Sequence, residues 1–171
     1  ALPIYDKKNK QVTISYTGNK TNLYNCLESG STLRFMIPIV LAKEEMGTFT
    51  GTTRLLARGL GIYEDIFNAN NITFEKTETS IIINGKLPSG KYVVKGNVSS
   101  QFISGLLFSL PLLKEDSEIE IIPPIESIDY IKITIDVLRM FAIEIEDDLE
   151  NNKIIIKGNQ LYQQRDSVVE G

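Results

Sequence analysis

Histidine is absent from this chain of 171 residues, and Cys26 is its single cysteine. Histidine is the commonest general base and a common metal ligand, so its absence argues against a structural zinc site. Any chemistry must use carboxylates, lysine, arginine, hydroxyls and backbone amides. One cysteine excludes an internal disulfide and favours a reducing compartment such as the cytoplasm.

Long apolar runs are also missing, because no stretch approaches the roughly 20 residues that a transmembrane helix needs. We therefore expect no membrane partner. The net charge of −4 argues against non-specific nucleic-acid binding, although 18 Lys and Arg are enough to form a local anion site. Hydrophobic residues make up 42% of the chain, which is sufficient for a globular domain with a buried core.

The chain repeats one order of elements twice, and matching landmarks such as Ser31 and Ser100 lie about 70 residues apart. Each copy predicts helix, strand, helix, strand, strand. The predicted elements of the first copy are 30–44, 47–51, 54–68, 72–75 and 80–84. Those of the second copy are 99–113, 118–122, 127–141, 143–147 and 153–157.

The first helix of each copy is apolar on almost every side, which predicts that it lies in a core. Pro38 lies inside the first of these helices and should kink it. The strands alternate apolar and polar residues, as in 143–146, so each sheet should have one solvated face. Together these patterns predict an inside-out α/β (α+β) fold, in which sheets wrap buried helices.

Small hydroxyl residues and a glycine precede both apolar helices, as Ser29, Gly30 and Ser31 in the first copy and as Ser99 and Ser100 in the second. A helix N-terminus carries unpaired N–H groups and a partial positive charge, which suit a phosphate or a carboxylate. Serine there is also a common N-cap that stabilises the helix by about 1 kcal/mol. Taken singly, these residues favour capping.

Arg54 and Arg58 are four residues apart and would share one face of a helix. Two guanidiniums on one face suit a carboxylate or phosphate clamp. The competing interpretation, a solvated face with weak ion pairs, is the better one without further information.

Ser127 and Tyr130 begin the last predicted helix, one turn apart. The tyrosine hydroxyl is a candidate contact for a sugar-like ring, but a half-buried surface tyrosine is the commoner case. The acidic residues between 144 and 150 alternate with isoleucine and end in Asn151 and Asn152. That pattern favours a solvated hairpin over a metal site.

Four motifs together resemble one family, the 5-enolpyruvylshikimate-3-phosphate synthases. They are SGSTLRFMIP at 29–38, GTTRLLAR at 51–58, VSSQFISGLL at 98–107 and SIDYI at 127–131. The serine–serine–glutamine motif is the most specific, and order and spacing agree along nearly the whole chain. VVEG at 168–171 resembles the strand that leads into the family's second domain.

The resemblance implies a two-domain enzyme whose domains each contain three inside-out βαβαββ units, with buried helices wrapped by mixed four-stranded sheets. We expect residues 1–171 to be most of the first, N-terminal-side domain. It would hold an incomplete leading unit, with a strand at 12–16, and repeats at about 29–86 and 97–158. The stretch 159–171 would be an extended tail without a partner inside the chain, leading towards an absent second domain.

The reaction implied by the family moves the enolpyruvyl group of phosphoenolpyruvate to shikimate 3-phosphate and releases phosphate, with no cofactor or metal. By motif position, the residues holding shikimate 3-phosphate are Ser99, Ser100, Gln101, Ser127 and Tyr130. Those contacting phosphoenolpyruvate are Gly30, Arg58 and Gln101. No catalytic proton-transfer residue is expected in this chain, so it should be inactive alone.

The chain departs from the family pattern at Glu28, where asparagine is usual, and at Ser31, where threonine is usual. A carboxylate at Glu28 is expected to weaken the binding of phosphoenolpyruvate. One alternative is a UDP-N-acetylglucosamine enolpyruvyl transferase, which would carry cysteine or aspartate where this chain has Thr52, Thr53 and Arg54. Another is a repeat-built binding module without enzymatic ancestry.

Overall fold

The computed structural model describes residues 3–9, 11–14 and 21–165. A two-stranded antiparallel sheet comes first, formed by β1 (Pro3–Asp6) and β2 (Gln11–Ile14). The predicted strand at 12–16 therefore corresponds in part to β2, and its last two residues lie outside the described ranges.

The first repeat has the order strand, helix, strand, two helices, strand, strand. Its elements are β3 (Leu23–Asn25), α1 (Gly30–Lys43), β4 (Met46–Thr50), α2 (Thr53–Ala57), α3 (Gly61–Ala69), β5 (Thr73–Lys76) and β6 (Ser80–Asn84). The strands form one sheet in the order β3-β4-β6-β5, in which the first pair is parallel and the others are antiparallel.

The second repeat has the same topology. Its elements are β7 (Lys91–Lys95), α4 (Ser100–Ser109), β8 (Ser117–Ile122), α5 (Ile128–Met140), β9 (Ile145–Asp148) and β10 (Lys153–Ile156). The sheet order is β7-β8-β10-β9, again with a parallel first pair. The two mixed four-stranded sheets confirm the predicted repeat and fold class.

The structure corrects several predicted elements. Each repeat begins with a strand, as the βαβαββ unit of the family implies, but the residue pattern did not locate it, so the repeats start at 23 and 91 rather than at 29 and 97. The predicted helix 54–68 is two helices, because Arg58 takes an extended conformation and the poor helix former Gly59 follows it. Helix α4 ends at Ser109 and a 3-10 turn follows, where Pro111 has no N–H to donate.

The core lies between the two sheets and around the central helices α1 and α4. Buried side chains come from α1 and α4, and the inward faces of β4, β6, β8 and β10 cover them. The two helices approach closely at Gly105, where an added Cβ would lie 2.6 Å from the carbonyl oxygen of Arg34. Buried helices wrapped by sheets are therefore confirmed.

Pro38 leaves one carbonyl of α1 without its usual helical donor, because proline has no N–H and the acceptor four residues earlier is Arg34. The hydroxyl of Tyr63, on α3, donates to that carbonyl at 2.7 Å. Tyr63 is only 1% exposed, and its ring packs edge-on against Phe102 of α4. This tyrosine therefore joins α1, α3 and α4.

The stretch after β10 packs against the second repeat, so the prediction that it has no partner is wrong. The N–H of Gln160 donates to the carbonyl of Pro111 at 2.8 Å, and the hydroxyl of Tyr162 donates to that of Phe108 at 2.7 Å. Residues 166–171, which include the predicted link to a second domain, lie outside the described ranges. Among the described helices, none has the length and apolarity needed to cross a bilayer.

Candidate functional site

Two loops meet beside the N-terminus of α1. The N–H of Cys26 donates to the carbonyl of Thr50, and the N–H of Thr52 donates to that of Leu27, both at 2.8 Å. A Cβ on Gly51 would lie 2.8 Å from the Leu27 carbonyl oxygen, so only glycine allows this approach. The loop before α1 is thereby hydrogen-bonded to the loop before α2. Arg54 lies in α2, and Arg58 directly follows this helix.

The serines that open the two central helices act as N-caps. Ser29 Oγ accepts hydrogen bonds from the N–H of Thr32 at 3.1 Å and from its hydroxyl at 2.8 Å. Ser99 Oγ accepts a longer bond from the N–H of Gln101, at 3.3 Å. The capping interpretation therefore holds for Ser29 and Ser99, while the side chains of Ser31 and Ser100 remain for other roles.

A hydrogen-bonded chain links the first turns of α1 and α4. Arg34 Nη1 donates to Gln101 Oε1 at 2.6 Å, and Gln101 Nε2 donates to Ser31 Oγ at 2.7 Å. The two helix starts therefore lie side by side, although about 70 residues separate them in sequence.

Arg58 approaches the same helix start. A Cβ built on Gly30 would lie 2.9 Å from Arg58 Nη1 and 3.5 Å from Arg34 Nη1, so both guanidiniums face this glycine. A side chain at position 30 would displace the end of the Arg58 side chain from this helix start.

Arg54 and Arg58 do not share a helical face, because Arg54 lies in α2 and Arg58 lies just beyond its end. Both nevertheless line one cavity of about 240 Å³, together with Glu28, Thr52 and Leu55. The expectation that the two arginines share one face of a helix is therefore wrong, and they are neighbours in a cavity wall instead.

Arg34 and Arg58 form a cluster of two like charges beside Gly30. Burial, and then the charge of Arg58, lower the pKa of Arg34 below its usual value. Within the described part of the chain, no carboxylate forms an ion pair with Arg34 or Arg58. Two like charges held together in this way favour the binding of an anion.

Ser127 and Tyr130 lie at the start of α5. Ser127 has φ of 57°, a left-handed conformation unusual for serine, and its side chain makes no capping bond. Tyr130 is 66% exposed. A hydrogen bond of 2.8 Å between Ser104 and Thr134 joins α5 to α4 one turn further on.

The structure thus brings Gly30, Arg58 and Gln101 together, with Ser99 and Ser100 on the same helix start as Gln101. Within the described ranges, no hydrogen bond joins Ser127 or Tyr130 to this cluster. The acidic stretch at 144–150 lies mostly on the β9–β10 hairpin with its carboxylates largely exposed, as predicted.

Arg34 and Ser31 were not among the predicted site residues. A signal was available for Arg34, because a charged residue inside an otherwise apolar, core-facing helix needs a partner. Ser31 was noted only as part of the helix start, because serine is ordinary in the first turn of a helix.

Fold and site together define a helix-centred repeat domain with a cationic cluster suited to oxyanions. Residues 3–171 match the family model described as EPSP synthase (3-phosphoshikimate 1-carboxyvinyltransferase). The chain belongs to the EPSP synthase family, which confirms the resemblance and excludes a repeat module unrelated to these enzymes.

Similar proteins include the 3-phosphoshikimate 1-carboxyvinyltransferases of Clostridium kluyveri and Clostridium novyi. They are 46% and 44% identical to this chain, over 98% of it and 40% of each relative. The structure of EPSP synthase from Acinetobacter baumannii is similar in fold, with a TM-score of 0.64 at 18% identity, over 81% of this chain and 31% of that one. The chain therefore spans only 40% of the length of the two Clostridium relatives.

Proposed function

We propose that this chain is a substrate-binding domain of a two-domain 3-phosphoshikimate 1-carboxyvinyltransferase. The complete enzyme would transfer the enolpyruvyl group of phosphoenolpyruvate to the 5-hydroxyl of shikimate 3-phosphate and release phosphate. The observation that carries the proposal is the approach of Arg58 and Gln101 to the first turns of α1, where Arg58 faces Gly30 and Gln101 bonds to Ser31 and Arg34. Both substrates are anions, and this cluster supplies positive charge and hydrogen-bond donors.

The proposed contacts with shikimate 3-phosphate are Ser99, Ser100, Gln101, Ser127 and Tyr130. Support comes from the positions of Ser99, Ser100 and Gln101 in the first turn of α4. The exposed ring of Tyr130 has an apolar face for the shikimate ring and a hydroxyl for its oxygens.

Gly30, Arg58 and Gln101 are the proposed contacts with phosphoenolpyruvate. Glycine lets an anion approach the backbone, and arginine binds carboxylate or phosphate in a forked geometry. Glu28 lines the same cavity as Arg58, which supports the expectation that its carboxylate weakens anion binding there. Gln101 would contact both substrates.

Proton transfer would depend on residues from the rest of the longer protein, including its second domain, and would need no cofactor or metal. The cavity beside Arg58 offers only one acidic side chain, Glu28, among the described residues. We therefore propose that the chain alone binds substrate without turnover, and that the complete enzyme works in the cytoplasm. Release of phosphate from phosphoenolpyruvate by the purified chain, in the presence of shikimate 3-phosphate, would contradict the first of these statements.

Titration of the chain with shikimate 3-phosphate, by calorimetry or by amide chemical shifts, tests the binding proposal. We expect weak, saturable binding that Q101A and Y130F each weaken further but do not abolish. Q163A is the matched control, because Gln163 is an exposed glutamine away from the cluster. Absence of binding at millimolar ligand would overturn the claim that this chain alone holds the substrate.

A further inference from the structure

Arg34 is a partly buried cation whose main polar contact is Gln101. Its guanidinium carbon lies 4.9 Å from the centre of the Phe102 ring, and its Nη1 donates to Gln101 Oε1 at 2.6 Å. Its Nε atom is buried without a hydrogen-bond partner in the described part of the chain. A charged group this poorly compensated inside a helical core is costly, which indicates a role beyond packing.

In the hydrogen bond between Arg34 and Gln101, Arg34 can only be the donor. A glutamine side chain has an accepting oxygen on one side and a donating NH2 group on the other, whereas a guanidinium only donates. Turning the Gln101 amide by half a turn would place N–H against N–H. Arg34 therefore holds Oε1 towards itself and Nε2 towards Ser31, which lies 2.7 Å away.

The two hydrogen bonds are donated in the same direction, from Arg34 to Gln101 and from Gln101 to Ser31. Ser31 Oγ accepts from Gln101, which leaves the hydroxyl proton of Ser31 uncommitted. The second hydrogen of Gln101 Nε2 also has no acceptor among the described residues. Together with Arg58 at Gly30, the site presents hydrogen-bond donors.

We propose that Arg34 is a positioning residue that fixes the amide orientation of Gln101, so that the site offers donors and selects ligands whose facing atoms are acceptor oxygens. Phosphate, carboxylate and hydroxyl oxygens belong to this class, whereas an ammonium group, which only donates, does not. The inference deepens the proposed function and rests on it, because Gln101 is the proposed contact of both substrates.

The orientation is measured without ligand, on the full chain labelled with carbon-13 and nitrogen-15 in glutamine. In the wild type we expect a nuclear Overhauser contact between the Gln101 side-chain amide protons and the β protons of Ser31. R34M should lose this contact and shift the Gln101 amide carbon, while other signals persist. R58M is the matched control, because it removes a neighbouring charge but no bond to Gln101. An unchanged contact and shift in R34M would overturn the proposal.

A second variant, Q101E, keeps the test decisive if R34M does not fold. Glutamate still accepts from Arg34 but gives up the N–H donors, so Q101E should melt no lower than the wild type. Its affinity for shikimate 3-phosphate should fall by at least about tenfold, the effect of losing one good hydrogen bond. Affinity equal to that of the wild type would contradict a donor role for Gln101.

The binding energies of R34M and Q101A separate positioning from direct contact. If Arg34 acts through Gln101, the double variant R34M/Q101A should bind shikimate 3-phosphate no more weakly than Q101A alone. Losses that multiply would show that Arg34 contacts the ligand itself, which overturns the proposal. If the wild-type chain does not bind, the proposed function of this chain fails, and the Overhauser contact still decides the role of Arg34.

Discussion

Tyr63 replaces a hydrogen bond that Pro38 removes from α1, and the variant Y63F tests this relation. Without the hydroxyl, the carbonyl of Arg34 stays buried with no donor from position 38 or from α3. An unsatisfied buried carbonyl costs about 1–3 kcal/mol, so we expect Y63F to lower the free energy of unfolding by about 2 kcal/mol. In a chain of this size that change lowers Tm by about 4–8 °C.

The same substitution should cost less when position 38 regains an N–H. In P38A the new amide can donate to the Arg34 carbonyl as in an ordinary helix, so the carbonyl keeps a partner when Tyr63 loses its hydroxyl. We expect Y63F to cost about 1 kcal/mol or less in the P38A background. The double-mutant cycle should thus show a coupling of about 1 kcal/mol between the two positions.

Urea unfolding at 25 °C, followed by far-ultraviolet circular dichroism, measures all four proteins of the cycle. Y92F is the control, because Tyr92 is also buried and donates to a different carbonyl, that of Pro88. It should cost the same with proline or alanine at position 38. Equal costs of Y63F in both backgrounds would refute the relation between Tyr63 and Pro38.

Three further predictions test other parts of the structure. G105A should lower the free energy of unfolding by about 1–3 kcal/mol, because its methyl group would be forced between α1 and α4. G59A is the control and should be nearly neutral, because nothing lies within 4 Å of its added Cβ. Equal melting curves of the two variants would contradict this prediction. S127G should stabilise the chain by up to about 1 kcal/mol relative to S127A by relieving the left-handed conformation, and both should weaken binding of shikimate 3-phosphate if the hydroxyl is a contact. Burial raises the pKa of Tyr162 to about 12. Tyr162 therefore ionises first in the unfolded state, and the free energy of unfolding should fall as pH rises from about 10 to 12. Denaturant titrations at each pH should show a smaller fall of this free energy for Y162F than for the wild type.

The repeat and the inside-out arrangement were predictable because they depend on local patterns. Helices apolar on all sides and strands of period two recur at a constant spacing, and packing follows from them. The leading strand β3 was missed because three residues are too few to show a period. The break between α2 and α3 was missed although Gly59 and Gly61 lie within the predicted helix.

The site was only partly predictable, because its central contact joins residues far apart in the chain. Arg34 and Gln101 are 67 positions apart, and no local pattern indicates that they meet. Motif resemblance predicted Gly30, Arg58 and Gln101 as site residues. The hydrogen bond from Arg34 that orients Gln101 is visible only in the three-dimensional structure. The packing of the tail on the second repeat was hidden for the same reason.

The thiol of Cys26 makes the loop before α1 observable without any substitution. It is 3% exposed, and burial raises its pKa, so it is shielded from thiol reagents while the loop stays closed. Alkylation must then wait for the loop to open, and its rate counts those openings. The alkylation rate of Cys26 thus reports how often the segment that leads into Gly30 opens in the native chain. A ligand that holds this segment in place would lower that rate.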